Sequence, residues 1–306
     1  MIDFSKIKTY SIKKRKHKES FAHFPDPRDS IDILNNKDLR ELADKIVEAH
    51  SNNKQVIFML GGHVIKTGMS SYIIDLMKKG VITHIAMNGS TSIHDFEIAA
   101  FGETSEDVQA GIKNGTFGMV EETGSLMNSA INEGAGQGKG YGYSVAKKIS
   151  ELGSNSRENS ILYTAYTLNM PVSVHVAIGT DTIHQHPMCR GELLGAATYA
   201  DFKLFADSIS KLEGGAVVNI GSAVVLPETF LKALTMVRNL GYDVKNITTA
   251  NLDMNDHYRP RLNVVERPVK ALGGQGFIII EKHQKTVPSL HRLIVQGLGK
   301  GKGALN

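Results

Sequence analysis

Two stretches of the chain share one pattern. In "QVIFMLGGHVIKTGMSSYIIDLMKKG" (55–80) and "AVVNIGSAVVLPETFLKALTMVRNLG" (216–241), an unbroken apolar run meets a glycine turn, an amphipathic segment and a terminal glycine. Each leads into a further short strand-like run, "ITHIAMNGS" and "NITTAN". Apolar runs without alternation read as strands covered on both faces. Phe230, Leu234 and Val237 fall on one helical face after Pro227, and Gly80 and Gly241 stop the two helices. Two such βαβ units constrain the chain to an α/β class: a doubly wound, mostly parallel sheet with helices on both faces.

The remaining segments fit that frame. "SILYTAYTLNMPV" reads as a helix feeding the strand at 171–178, and a long helix is expected from about Gly191 to Leu212. "NKDLRELADKIVEAHSNN" carries Leu39, Leu42, Ala43 and Ile46 at helical spacing. Ahead of it lie the turn-rich "HFPDPRDS" and a basic stretch containing "KKRKHK". The first 20 residues carry seven Lys/Arg against two Asp/Glu, which leaves the rest of the chain almost neutral. With no interleaved aromatics, the basic stretch reads as a solvated arm or an oligomer contact, and no nucleic-acid partner is expected. The division is residues 1–30 as arm and linker and 31–306 as a single α/β domain. A lone cysteine, Cys189, excludes an internal disulfide framework. With no membrane-length apolar run and no apolar leader core, a cytoplasmic location is expected.

In open α/β sheets, ligands gather where strands end and helices begin. "LGGHVIKTG", "MNGS", "IGTD" and "ITTAN" are such turns, with backbone N–H groups placed to cradle a pyrophosphate. They nominate Gly61, Gly62, Asn88, Gly89, Ser90, Asp181, Thr249 and Ala250 as cofactor contacts, Asp181 accepting ribose hydroxyls. "HVAIGTDTIHQHP" gathers His175, Asp181, His184 and His186. His184 and His186 suit acid/base or orienting roles at a pocket, while an H-x-H pair beside a carboxylate is also the pattern of a metal-dependent hydrolase. His175, inside an apolar strand, reads as a core histidine. "EGAGQGKGYGYS" (133–144) misses the spacing of a phosphate loop and reads as a flexible lid or a plain surface loop, Lys139 being the lid's useful charge. Laid turn on turn, the two units place Lys66 opposite Leu226.

As a set, these segments resemble deoxyhypusine synthase and its homospermidine-forming relatives from about residue 55 to 270. The resemblance rests on the helix "SILYTAYTLNMPV" with Thr180-Asp181 beyond it, and on "NIGSAVVLPETFLKALTMVRNLGYDVKNITTANLDMNDHYRP". It implies a Rossmann-like single domain, NAD at strand ends, a homotetramer, and hydride transfer from a small amine or polyamine followed by aminoalkyl transfer through an enzyme lysine. It also assigns NAD contacts to Asn88, Gly89, Ser90, Asp181 and Thr249-Ala250. Two departures stand out. The family's lysine position is Leu226, followed by Pro227 rather than histidine, and the paired glutamates that hold polyamine cations fall on His94 and Asp95. The expectation is therefore an NAD-dependent enzyme of this type with altered chemistry, in which Lys66 or Lys139 is the replacement amine if a covalent step persists. The competing readings are a non-catalytic nucleotide-binding protein and a hydrolase using His175, His184 and His186.

Overall fold

Residues 2–303 are described by a computed structural model of the chain; residues 304–306 of the expected domain lie outside the described residues. A short strand β1 (Glu19–Ser20) and helix α1 (Lys37–Ser51) precede the first repeated unit. That unit runs β2 (Val56–Leu60), α2 (Gly62–Lys66), α3 (Ser70–Lys78) and β3 (His84–Asn88). There follow α4 (Gly89–Phe101), β4 (Glu103–Thr104), α5 (Val108–Asn114), α6 (Glu121–Gly136), α7 (Tyr141–Leu152), α8 (Ile161–Thr167) and β5 (Val172–His175). After α9 (Gly191–Ser210) comes the second unit, β6 (Ala216–Ile220), α10 (Val225–Asn239) and β7 (Ile247–Asp253). The chain closes with α11 (Arg267–Leu272), β8 (Gly274–Ile280) and α12 (His283–Gly303).

Six strands form one parallel sheet in the order β5-β3-β2-β6-β7-β8. Winding proceeds outward from β2 in one direction, then restarts at β6 and proceeds the other way, so the topological switch point lies between the two repeated units. Alternation along β2 explains why its residues had to be apolar throughout. Val56, Phe58 and Leu60 pack on the side of α1, α3 and α12, while Ile57 and Met59 face α9 and α10 through Phe205, Ile209 and Phe230. The Asn36 side chain caps α1 by accepting from Leu39 N–H at 2.9 Å. Leu226, in the first turn of α10, is fully buried among Phe205, Phe230 and Val264. Its position is one of packing, which is why no reactive group stands there.

The glycine run at 133–144 is not a lid. It forms the end of α6 and the start of α7, with a tight turn over 137–140 between them. Asp201 of α9 locks that turn to the sheet, accepting from Gly142 N–H and Val174 N–H, both at 2.8 Å. Asp95 of α4 makes a comparable tie to α8, accepting from Ser160 Oγ at 2.5 Å and from Ile161 and Leu162 N–H at 2.8 and 3.0 Å. Asp95 is thus a structural cap and offers nothing to a ligand.

Burial pushes the Asp201 carboxyl up to about 7 from its ordinary value of 3.8. The native state therefore holds a proton that the unfolded chain has released, and Asp201's contribution to stability falls as pH rises from about 4 to about 7. Asp201→Asn keeps an acceptor oxygen but does not titrate, so the urea-unfolding advantage of the wild type over this variant should shrink across that pH range.

Candidate functional site

At the switch point the two glycine turns touch. Gly61 N–H donates to Ile220 O at 2.8 Å, and a Cβ at Gly61 would lie 2.1 Å from the Gly221 carbonyl oxygen, so only glycine fits. Above them opens a crevice of about 370 Å³ bordered by Gly62, His63, Lys66, Ser90, Gly221 and Ser222. Asn88, at the end of β3, also borders it, and its Oδ1 accepts from Thr91 N–H and Ser90 Oγ, both at 3.0 Å, which caps α4. Gly89 opens α4 with Asp181 pressed against it: a Cβ there would lie 1.9 Å from Asp181 Oδ2.

Lys66, Ser90 and His94 border a second, deeper cavity of about 250 Å³ as well as the crevice. Its apolar wall is Ile93, Val108, Phe117, Val120 and Ile183, and its polar wall includes Arg15, Glu97, Glu106 and Asp181. Arg15 Nη1 donates to Glu97 Oε1 at 2.7 Å, with the two side chains only 5 and 3 % exposed. Thr123 Oγ1 donates to the same oxygen at 2.8 Å and Thr104 Oγ1 to Glu97 Oε2 at 2.6 Å. Burial opposes ionisation of Glu97, but the Arg15 guanidinium outweighs it and holds the carboxyl below its ordinary value.

This network fixes the tautomer of His94. The Thr104 hydroxyl spends its proton on Glu97, so at 2.8 Å His94 Nδ1 must be the donor to Thr104 Oγ1. His94 Nε2 is then a bare acceptor, without a partner among the described residues, on a side chain shared by the two cavities. Burial pushes the His94 pKa down to about 4, so the ring is neutral at physiological pH. Two other carboxyls here are held by burial on the high side: Glu106, and Asp181 at about 6. Asp181 Oδ2 is buried without a hydrogen-bond partner.

One wall of the deeper cavity comes from the basic stretch, which is not a solvated arm throughout. Tyr10 N–H donates to Met119 O at 3.0 Å, Ile12 N–H to Glu122 Oε2 at 2.7 Å, and Lys18 N–H to Ser105 O at 3.2 Å. Between these ties Arg15 enters the cavity.

Several expected site residues lie elsewhere. Thr249 and Ala250 sit inside β7, paired with Val217 and Val218 and fully buried, because the strand continues to Asp253. His184 does not border either cavity: its Nδ1 accepts from Gly179 and Asp181 N–H at 3.0 and 3.2 Å and so shapes the loop after β5. His186 packs on Gly124 of α6, with Nε2 3.4 Å from Glu121. His175 Nε2 is 2.9 Å from Ser173 Oγ, and its ring edge meets Phe205. The three histidines serve three separate structural contacts, and among the described residues no group of three or more metal-binding side chains converges, which removes the basis of the hydrolase reading. Lys139 lies over the Tyr143 ring at the α6–α7 turn, beside a separate shallow depression with Glu133 and Lys147. Of the four expected catalytic groups, only Lys66 borders the site. The spacing of His94 and Glu97 one turn apart after "MNGS" could have announced those two, whereas nothing local announced Arg15.

No protein-family model and no curated protein matches the sequence. Solved structures share its fold. A protein of Entamoeba histolytica proposed to be a deoxyhypusine synthase superposes with a TM-score of 0.52 at 10 % identity, over 85 % of this chain and 86 % of that one. A conserved Methanococcus maripaludis S2 protein proposed to be of the LOR/SDH type gives 0.50 at 15 % identity, over 91 % and 74 %. AgrE, in a ternary complex with ornithine and NAD+, gives 0.51 at 14 % identity; the match covers 90 % of this chain but only 35 % of AgrE. This chain thus spans about a third of the AgrE length. At such identities the likeness is one of fold.

His94 stays neutral in the folded state until about pH 4, whereas its unfolded counterpart takes up a proton below about 6.5. Its contribution to stability is full above pH 6.5 and lost on acidification toward pH 4. His94→Gln should therefore lose less of its thermal midpoint than the wild type between those two pH values.

Proposed function

We propose that the chain is an NAD-linked enzyme that oxidises a small amine. The observation that carries this reading is the meeting of two cavities at Lys66, Ser90 and His94, one at the switch point of the sheet and one lined by carboxylates. The crevice fits a dinucleotide: its floor is backbone from which glycine has removed the side chains, so a pyrophosphate can approach the turns closely. Gly61, Gly62, Asn88, Gly89, Ser90, Gly221 and Ser222 would hold it. When bound, NAD accepts a hydride. AgrE, a fold neighbour, is named in complex with ornithine and NAD+, which supports pairing such a crevice with an amine.

The chain's own groups divide the remaining work. Asp181 borders the deeper cavity and not the crevice, so we assign its unpartnered oxygen to the substrate ammonium in place of a ribose. His94 Nε2 accepts the proton that the ammonium must shed before its carbon can release hydride. Lys66, at the junction, takes the role vacated at Leu226: its amine adds to the iminium carbon left by hydride loss, the substrate nitrogen departs as ammonia, and the carbon is held as an imine on Lys66 for transfer to an acceptor amine.

Two experiments test this reading. Asp181→Ala should raise the KM for the amine by about tenfold or more, as expected for loss of a charge-assisted contact of roughly 1.5–3 kcal/mol, while leaving the NAD Kd measured by calorimetry unchanged; the opposite pattern would restore the ribose role. Borohydride added during turnover should fix label on Lys66 and on no other lysine by peptide mapping, and Lys66→Met should abolish it. A parent protein that binds no NAD defeats the proposal.

A further inference from the structure

Three carboxylates face the deeper cavity, yet one is already spent. Glu97 accepts from Arg15, Thr104 and Thr123, which leaves it no need of a ligand. The cation among those donors comes from residue 15, 82 positions away in sequence, brought in by the stretch tied to Met119, Glu122 and Ser105. The guanidinium does not grip Glu97 with its usual fork: Nη1 alone bonds the carboxylate, Nη2 meets His17 Nδ1 at 3.1 Å, and Nε is buried without a partner. A donor so incompletely used fills a cationic place more than it builds a dedicated structural pair.

We infer that Arg15 stands in for a substrate ammonium, so that the cavity takes a primary monoamine on an apolar chain and refuses the diamines and polyamines that an open Glu97 would admit. The inference rests on the amine reading above and narrows it. Once Arg15 and Glu97 cancel, Asp181 remains to receive one ammonium, since Glu106 already accepts from Gly118 N–H at 3.0 Å and Tyr10 Oη at 3.4 Å, and Lys66 at the junction repels another. Ile93, Val108, Phe117, Val120 and Ile183 supply the surface for a hydrocarbon tail. A second ammonium inside would lie close to Arg15 with no uncommitted carboxylate to meet it, which is discrimination by an unpaired charge. Arg15 is thus a specificity-determining residue.

The test reads binding, not turnover, on the full chain, with butylamine and its diamine counterpart putrescine as probes in thermal-shift titrations with and without NAD. Wild type should be stabilised by butylamine at concentrations where putrescine has no effect. Arg15→Met should bind putrescine about tenfold or more tighter than wild type does, and the double variant Arg15→Met/Glu97→Gln should lose that gain. Should Arg15→Met not fold, Glu97→Gln supplies the second measurement. It leaves the guanidinium uncompensated in the cavity and should weaken butylamine about tenfold, reversed when Arg15 is also removed. Putrescine binding wild type as tightly as butylamine overturns the inference, as does a putrescine-to-butylamine ratio unchanged in Arg15→Met, or butylamine binding unchanged in Glu97→Gln. Failure of the cofactor reading is distinguishable, because it appears as absent NAD binding while the ratio of the two amines still shifts with Arg15.

Discussion

Backbone lies against backbone where the Gly61 turn meets the Gly221 carbonyl. A single methyl group at Gly61 would force the central strands β2 and β6 apart or tip the helices that follow them. Because those two strands are hydrogen-bonded neighbours in register from Val56–Ala216 to Leu60–Ile220, the spacing of both halves of the sheet is set at this one contact. The crevice is the vacancy left above two turns that carry no side chains, and Lys66, one short helix beyond the first turn, is placed by it.

Desolvation supplies the chemistry of the deeper cavity. The same burial acts in opposite directions on acids and bases: it lifts Asp181 and Glu106 toward neutrality and holds His94 as a free base. Glu97 escapes only because a guanidinium is buried with it. An ammonium entering such a place would draw Asp181 and Glu106 back to their charged forms, so affinity for the cation and ionisation of its partners are coupled. A neutral histidine beside carboxylates that prefer a counter-ion is an arrangement that water would dissolve and that the apolar wall from Ile93 to Ile183 preserves.

The fold was readable because its signals are local. An apolar run of β2 or β6 ends in glycine within a few residues, α1 shows its buried face as Leu39, Leu42 and Ile46, and α9 occupies nearly the expected span. The lining of the candidate site was readable where it too is local, at Gly62, Lys66, Asn88, Ser90 and Asp181. Polar residues misled: Thr249 looked like a strand end although the ladder runs on to Asp253, and His184 and His186 looked catalytic although the Nδ1 atom of each accepts from backbone N–H groups of its own loop. Arg15 was hidden for the opposite reason. In a run of lysines nothing marks the one cation that folding will remove from water, since its partner Glu97 is found only through tertiary structure.

The wall contributed by residues 10–18 is joined to partners beyond residue 100, among them Met119 and Glu122. Loop-closure entropy must be met before those contacts repay it, and non-local contacts of this kind form late in folding. The pairing of β2 with β6 joins Val56 to Ala216 across a still longer stretch of chain, so the same cost governs the sheet and the cavity wall. During synthesis α4 and α6 emerge well before β6, and the order of emergence thus places the partners of Arg15 ahead of the strand that completes the crevice.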